Sequence, residues 1–332
     1  MLEAPLRTVA RPKPERALRP AAIGAVGMAV PRQVVENDPI AARLGIEPSW
    51  IVERTGVRER RVLEDGETLL DLGAAAAEAT LERAALAPSA LDQVLVATMS
   101  HDRLTPNLAP LLAEEVGASG AGAMDVGAAC TGFVGALAMA VAQVETRRAE
   151  TVLVVGAERL STLTDYDDRA TAALFGDGAG AVLVRAALGP GFGPFVLGSD
   201  GARAEVVSAE RSEALIRMKG QDTFREAVNR MAEATLAAAA ASGLVLADID
   251  LFVYHQANAR ILRTLAQRLM LDGDRVLECI SRYGNTSAAS IPIALATALE
   301  EERIRPGDQV LLAAFGGGLT WGATILEWEA GR

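Results

Sequence analysis

The chain has 332 residues, 50% of them hydrophobic and 23% charged, with a formal net charge of -11. That is length for two ordinary domains or one large duplicated one, with enough apolar residues for a sizeable core, which excludes a wholly disordered chain. The acid balance argues against a globally basic nucleic-acid binder, and two cysteines, Cys130 and Cys279, are too few for a disulfide scaffold and suit a reducing cytoplasm.

Residues 1–20 are rich in Arg, Pro and Ala, lack a continuous apolar run, and read as a flexible extension rather than a secretory leader. AAIGAVGMAV then reads as a strand, Asn37 is placed to cap a short helix, and PSWIVERTG reads as a helix closed by Gly56. The Ala-rich spacing over 67–86 predicts a helix, DQVLVAT a short buried strand, TPNLAPLLAEEVG a helix with Pro106 near its first turn, and GAMDV another strand. The uncharged stretch 126–144 has the length of a membrane span. Its Gly, Ala, Thr, Cys and Gln content and its charged flanks point instead to a core helix, apolar all round, over 130–147. TVLVVGAE and AVLVRA read as strands. In the second half GPFVLGSDG reads as a strand, 222–242 as a long helix, DLFVYHQA as a strand, NARILRTLAQRLM as a helix and RVLECI as a strand. GNTSAASIPIALATALEEE then gives a loop and helix, and QVLLAAFGGG and LTWGATILEW paired strands. Strand–helix alternation argues for an α/β fold with parallel or mixed sheets, and the similar order of elements suggests two duplicated halves, 21–190 and 191–332.

Several residues invite a chemical reading. Cys130 follows strand GAMDV and opens the core helix, where the positive end of the helix dipole favours a thiolate. The competing reading is a small buried hydrophobe. His255 closes DLFVYHQAN, the end of a strand where α/β folds place their sites, and suits a general base or a donor to an oxyanion; a satisfied structural histidine is the plainer alternative. His101, the other histidine, carries no chemical role. Asn285 in RYGNTSAASIP suits a turn, with Thr286 or Ser287 as a helix cap, or else an amide donor beside His255. GNTSAAS holds the strand-to-helix place in the second half that GAACTG holds in the first, so the two loops are expected to face each other. Gly316, Gly317 and Gly318 suit a hairpin, or an exposed backbone N–H. GDGAGA at 176–181 runs into a strand rather than a helix, which excludes a dinucleotide fingerprint, and two histidines leave little for a metal site. Two arginine groups, Arg54, Arg58, Arg60 and Arg61, and Arg260, Arg263 and Arg268, read as solvated faces or as receivers of phosphates or an acidic carrier protein.

Taken together, WIVERTGVRERR, AACTGF, FGDGAGAVLV, GSDG, VYHQANARI, YGNTSAASIP and FGGGLTWG resemble the β-ketoacyl-acyl carrier protein synthase III family, in family order and over nearly everything after residue 20. The resemblance implies a thiolase-like, five-layered αβαβα fold of two duplicated halves in a homodimer. It implies Cys130 as the acyl-accepting nucleophile, His255 and Asn285 as the pair assisting malonyl decarboxylation, and the N–H groups of Cys130 and Gly317 as the oxyanion hole. Trp50, Arg54 and Arg169 match positions holding the nucleotide of CoA, Asn258 and Arg260 match pantetheine and carrier positions, and Met218 and Phe224 match the pantetheine channel. Thr105, where many members carry a bulky aromatic, matches an acyl-pocket position and leans towards a medium or long primer. The segment between GSDG and MKGQDTF is shorter than usual and is placed to cap the pocket. The implied substrates are acyl-CoA and malonyl-acyl carrier protein, with no metal, no further cofactor, no nucleic acid and no membrane. Three alternatives stand beside this: a starter-unit ketosynthase or acyltransferase of a polyketide pathway, a thioesterase-like hydrolase, and an acyl-CoA binding module, which would not need Cys130.

Overall fold

The computed structural model describes residues 18–329. The extension expected at 1–20 lies outside these residues except for its last three, of which Arg19 is fastened by its guanidinium to the Val144 and Ala149 carbonyls and to Glu150.

In chain order the first part gives β1 (Ala21–Ala29), β2 (Gln33–Glu36), α1 (Asn37–Leu44), α2 (Pro48–Thr55), β3 (Glu59–Val62), α3 (Leu69–Ala84), β4 (Gln93–Ala97), α4 (Leu108–Glu115), β5 (Gly122–Val126), α5 (Gly132–Glu145), β6 (Thr151–Arg159) and β7 (Asp177–Ala186). The second gives β8 (Val196–Ser199), β9 (Val207–Ala209), β10 (Ile216–Met218), α6 (Gly220–Ala241), β11 (Leu251–Tyr254), α7 (Ala259–Leu269), α8 (Ile280–Tyr283), α9 (Ser290–Glu300), β12 (Gln309–Gly316) and β13 (Thr320–Glu327). Local chemistry accounts for several boundaries. Thr68 and Asp71 form a reciprocal capping box at the start of α3, and Gly56 closes α2 in the left-handed region at φ 79°.

Two main sheets result, with orders β1-β7-β6-β4-β5 and β11-β12-β13-β8. Because side chains alternate across a strand, each sheet buries both faces. Val94 and Val96 of β4 pack under α3 and α4 with Leu153 and Val155 of β6. Leu95, Val152 and Val154 face the other way, onto α5 and α9, where Leu251, Val253, Val310 and Leu312 of the second sheet meet them. Phe252, Tyr254, Leu311 and Ala313 then pack under α6 and α7. The layers run helix, sheet, helix, sheet, helix. The uncharged stretch at 126–144 is thus the core of the middle layer, and among the described residues no helix is long and apolar enough to cross a membrane.

Four expectations need correction. RVLECI is not a strand: 275–280 makes one parallel bridge, Phe252 to Val276, before entering α8. The Gln256 side chain takes the hydrogen bonds a ladder would have used, accepting from the Cys279 and Ile280 N–H groups and donating to the Leu277 carbonyl. Asn37 does not cap α1; its amide donates to the Val57 carbonyl and accepts from Arg60. Pro106 precedes α4, whose first N–H groups, of Leu108 and Ala109, are capped from afar by Asp125. Neither Thr286 nor Ser287 caps α9, which follows directly on a short turn at 287–289.

Candidate active site

Strands β4, β5 and β6 are parallel to one another, and so are β11 and β12, so the carboxyl ends of each group lie together. The loops leaving those ends converge on one cavity of about 690 Å³. Ligand sites of α/β sheets lie at such ends. Cys130 sits in a single turn at 129–131 between β5 and α5, set up by Ala129 at φ 45°, and lines the cavity. Gly316, at the end of β12, approaches so closely that a Cβ there would lie 2.9 Å from the Cys130 amide nitrogen and 3.0 Å from its Cβ. Only glycine leaves that N–H reachable. Gly317 follows on the cavity wall.

His255 leaves β11 with its backbone N–H donating to the Ala313 carbonyl at 2.8 Å. It is 1% exposed, its Nδ1 has no partner among the described residues, and burial pushes its pKa down to about 4. At neutral pH it is an uncharged imidazole. Asn285 is held from both sides by the backbone: its N–H donates to the Leu174 carbonyl and its carbonyl accepts from the Gly176 N–H. Its Oδ1 accepts from the Ser287 N–H at 2.9 Å, which fixes the amide and leaves Nδ2 with only a 3.5 Å contact to the Ala257 carbonyl. The loops bearing Cys130 and Asn285 do face each other: a Cβ added at Gly132 would meet Ala288 at 3.9 Å.

The expected thiolate is not the resting state. Burial pushes the Cys130 thiol up to about 11, with the nearby Glu158 carboxylate adding to the rise, while hydrogen bonding from Ser287 opposes it. Desolvation outweighs the short helix-end position on which the thiolate expectation rests.

Of the remaining expected residues, Trp50, Arg54, Arg169, Met218, Phe224, Asn258 and Arg260 all line this cavity. Arg54 lies 5.5 Å over the Trp50 ring and Arg260 5.6 Å over that of Phe224. Asn258 caps α7 by accepting from the Arg260 N–H and donates to the Arg54 carbonyl, joining the two arginine groups at the cavity mouth. Arg169 donates to the Leu44 carbonyl. The short segment after GSDG supplies the β9–β10 hairpin, whose Val207, Ile216 and Met218 form one wall. Thr105 is not brought to the cavity; it is exposed in the loop before α4. Arg60, read with the basic groups, is 2% exposed and donates to the Val35 and Ala173 carbonyls and to Asn37, so it is a buried tie rather than a receiver of phosphate. Among the described residues no cluster of three His, Cys, Asp or Glu could hold a metal ion.

Sequence reasoning misses two polar residues at the cavity, Ser287 in its lining and Glu158 outside that lining. Glu158 closes the apolar strand TVLVVGAE and is fully buried; Ser287 reads in the sequence only as a cap. A lone carboxylate at the carboxyl end of a buried strand is the available signal for the first.

The chain matches the family description 3-oxoacyl-[acyl-carrier-protein] synthase III over residues 124–218 and its C-terminal counterpart over residues 239–328. It is 41% identical, over 93% of this chain and 99% of the relative, to the β-ketoacyl-[acyl-carrier-protein] synthase III of Listeria innocua. The chain belongs to the β-ketoacyl-acyl carrier protein synthase III family. The crystal structure of 3-oxoacyl-[acyl-carrier-protein] synthase III from Aquifex aeolicus superposes with a TM-score of 0.90 at 38% identity, covering 93% of this chain and 100% of that one. The priming β-ketosynthase of the R1128 polyketide pathway superposes with a TM-score of 0.91 at 35% identity, covering 95% and 98%. The five layers are therefore those of the thiolase-type fold of these synthases, and the chain is a condensing enzyme of the acyltransferase class.

Proposed function

We propose that the enzyme takes an acyl group from acyl-CoA onto Cys130 and condenses it, with loss of CO2, onto malonyl-acyl carrier protein, giving a 3-oxoacyl-carrier and CoA as the opening step of fatty-acid synthesis. The observation that carries the reading is the convergence of one nucleophile and two neutral donors, from the ends of two sheets, on a single cavity. A neutral imidazole and a fixed amide suit an enolate oxyanion, because they donate hydrogen bonds without giving up a proton to the carbanion. The N–H groups of Cys130 and Gly317 serve the acyl oxyanion. Trp50, Arg54 and Arg169 hold the nucleotide of CoA, while Met218, Phe224, Asn258 and Arg260 guide the pantetheine. No group beyond the thioester substrates is required.

We further read the chain as two duplicated halves, 21–190 and 191–332. Adding the Val276 bridge, the second sheet runs 276-β11-β12-β13-β8, and each neighbour pair has the sense of its counterpart in β5-β4-β6-β7-β1: two parallel, then two antiparallel. Dimerisation is proposed across β5, an edge strand with Met124 45% exposed. Thr105 would then shape an acyl pocket only in a second copy, so the preference for a long primer has no basis within one chain. A free, reduced Cys130 suits the cytoplasm.

Intact mass after exposure to acyl-CoAs of graded length, followed by a chase with malonyl-carrier protein, tests the reading. An adduct lost in Cys130→Ala and discharged as a 3-oxoacyl product supports it; loading without condensation overturns it in favour of plain acyl transfer. The likeness to a polyketide priming ketosynthase supports a second reading, starter-unit synthesis, which predicts preference for a polyketide carrier protein over a fatty-acid one.

A further inference from the structure

A cluster of buried hydrogen bonds surrounds the peptide bond that follows His255. The His255 N–H closes β11 on the Ala313 carbonyl, and the His255 carbonyl accepts from the Ala257 N–H at 2.8 Å. Gln256, 2% exposed, uses its whole side-chain amide: Nε2 donates to the Tyr254 and Leu277 carbonyls, and Oε1 accepts from the Cys279 and Ile280 N–H groups. Its backbone N–H, past the end of the strand, donates to the Ser290 hydroxyl oxygen at 2.7 Å. Ser290 is also 2% exposed and is the first residue of α9, on the same loop-and-helix segment as Asn285. Ser290 therefore ties the loop that carries His255 to the loop that carries Asn285. Among the described residues one other polar contact joins these loops, from Asn285 Nδ2 to the Ala257 carbonyl, and at 3.5 Å it is too long to hold them.

We infer that Ser290 is a positioning residue for the condensation step, its hydroxyl setting the spacing of the two donors, His255 and Asn285, that serve the enolate oxyanion. The inference rests on the condensation reading above. Ser290 does not line the cavity and acts through the Gln256 N–H. That N–H belongs to the peptide plane between His255 and Gln256, so holding it fixes the backbone from which the imidazole projects. The Gln256 side chain cannot take over, because both its donor hydrogens and its oxygen are already engaged. Without the hydroxyl the N–H is buried and unpaired, a state costly enough to drive the peptide to turn towards another acceptor. The imidazole turns with the peptide, while Asn285, held by the Leu174 carbonyl and the Gly176 N–H, stays in place.

Two observations separate this role from that of an ordinary buried serine. In the register that matches the 129–131 turn with the 287–289 turn, Ser290 falls opposite Gly132. A Cβ at Gly132 would lie 3.3 Å from the Ala97 Cβ and 3.4 Å from the Val126 carbonyl oxygen, so the first half packs this junction on backbone and methyl groups. The hydroxyl tie is present in the half that carries the donor pair. The tie is also selective. The turn bearing Cys130 is held by Thr131, whose N–H and hydroxyl engage the Ala128 carbonyl and whose hydroxyl meets that of Thr320 at 2.7 Å, and none of these contacts involves Ser290. A donor displaced by about 1 Å can cost on the order of 10²-fold in rate, and here that loss falls on condensation rather than on acylation.

The test combines the two half-reactions with ring NMR of histidine-labelled protein, in which His101 is the one reference beside His255. Ser290→Ala should shift the His255 ring signals and leave those of His101 in place. In enzyme preloaded with an acyl group its kcat for condensation should fall by roughly 10- to 10²-fold, with KM for malonyl-carrier protein and the loading of Cys130 within a few-fold of wild type. Ser290→Thr keeps an oxygen acceptor and should restore both the signals and the rate. Unmoved His255 signals or unchanged condensation in Ser290→Ala overturns the proposal. So does loading that falls in step with condensation, the mark of a general loss of structure, and so does a Ser290→Thr variant that stays slow while its His255 signals match wild type. Thermal melts report folding; should Ser290→Ala not fold, Ser290→Cys, with a weaker and longer acceptor, should show the same split to a smaller degree and is judged in the same way. Failure of wild type to condense would overturn the condensation reading instead, and the ring signals would still decide whether Ser290 places His255.

Discussion

The two loops that meet at the cavity use the same backbone for different ends. Ala129 at φ 45° and Ser287 at φ 47° each open a single turn, 129–131 and 287–289, which runs into a helix of the middle layer at 132 and at 290. In this register Cys130 corresponds to Ala288, and Ser287 to Ala129. One copy therefore presents a sulfur from the second position of the turn, and the other a hydroxyl from the first. The second copy also carries Asn285, where the first has Gly127. The two turns share a backbone conformation and face each other; in the proposed mechanism one half carries the nucleophile and the other the donors, so neither half alone would hold the site.

That division of labour can be broken from either side. The largest effect is expected from Cys130→Ala, which should abolish the acyl adduct altogether, read by intact mass. Asn285→Ala should leave loading intact and slow condensation by roughly 10²–10³, read by product formation from preloaded enzyme. If both half-reactions fall together, the loops are not specialised as described. Gly316→Ala should act on the first loop from outside: a Cβ 2.9 Å from the Cys130 nitrogen crowds the N–H, and acylation should slow by on the order of 10². Because burial keeps His255 near pKa 4, condensation by preloaded enzyme should show no histidine inflection between pH 5.5 and 8.5.

Much of this is legible in the sequence. Apolar strands alternating with helices, in two parallel series, imply an α/β fold whose sheets are buried on both faces, since such strands must be written in Val, Leu, Ala and Ile; the five layers follow only from the family resemblance. Cys130, His255 and Asn285 stand out because polar residues end or follow apolar strands. What the sequence hides lies in side chains replacing backbone. Gln256 reads only as the residue after His255, yet it stands in for a strand's ladder. Asp125 caps α4 across a gap of 17 residues in sequence. Arg60 reads as one more surface charge until Asn37, Val35 and Ala173 are known to surround it. Such partners are set by tertiary contact, which local spacing does not encode. The thiol's resting protonation is hidden for a related reason: helix position is visible in sequence, whereas desolvation is not.

The two sheets differ at one edge, and Gln256 is the reason. In the first half β5 pairs with β4 over five residues; in the second a single bridge remains. Gln256→Ala should leave the Cys279 and Ile280 N–H groups and the Leu277 carbonyl buried without partners, costing on the order of 3 kcal/mol of unfolding free energy in denaturant titration. A cost below about 1 kcal/mol would mean that 276–280 holds its place without the amide.

The smallest effect should come from Glu158, and it depends on pH. Its pKa rises on folding from 4.5 to about 7, so the native state prefers the neutral acid. The stability this preference contributes is complete below pH 4.5 and is lost as pH rises through about 7. By pH 8 the loss reaches at most about 3 kcal/mol, since each tenfold gain in proton affinity on folding corresponds to about 1.36 kcal/mol. Glu158→Gln keeps an oxygen for Ser100 and Met99 but cannot ionise. Relative to wild type the variant should therefore be more stable at pH 8 than at pH 4.5, by up to that amount. His255 runs the opposite way, its contribution being present above pH 6.5 and lost as pH falls through about 4, so it cannot mimic the alkaline effect. An equal difference between variant and wild type at both pH values would mean that Glu158 ionises as freely as in the unfolded chain. Glu158 would then be an ordinary carboxylate at the end of β6, despite its burial.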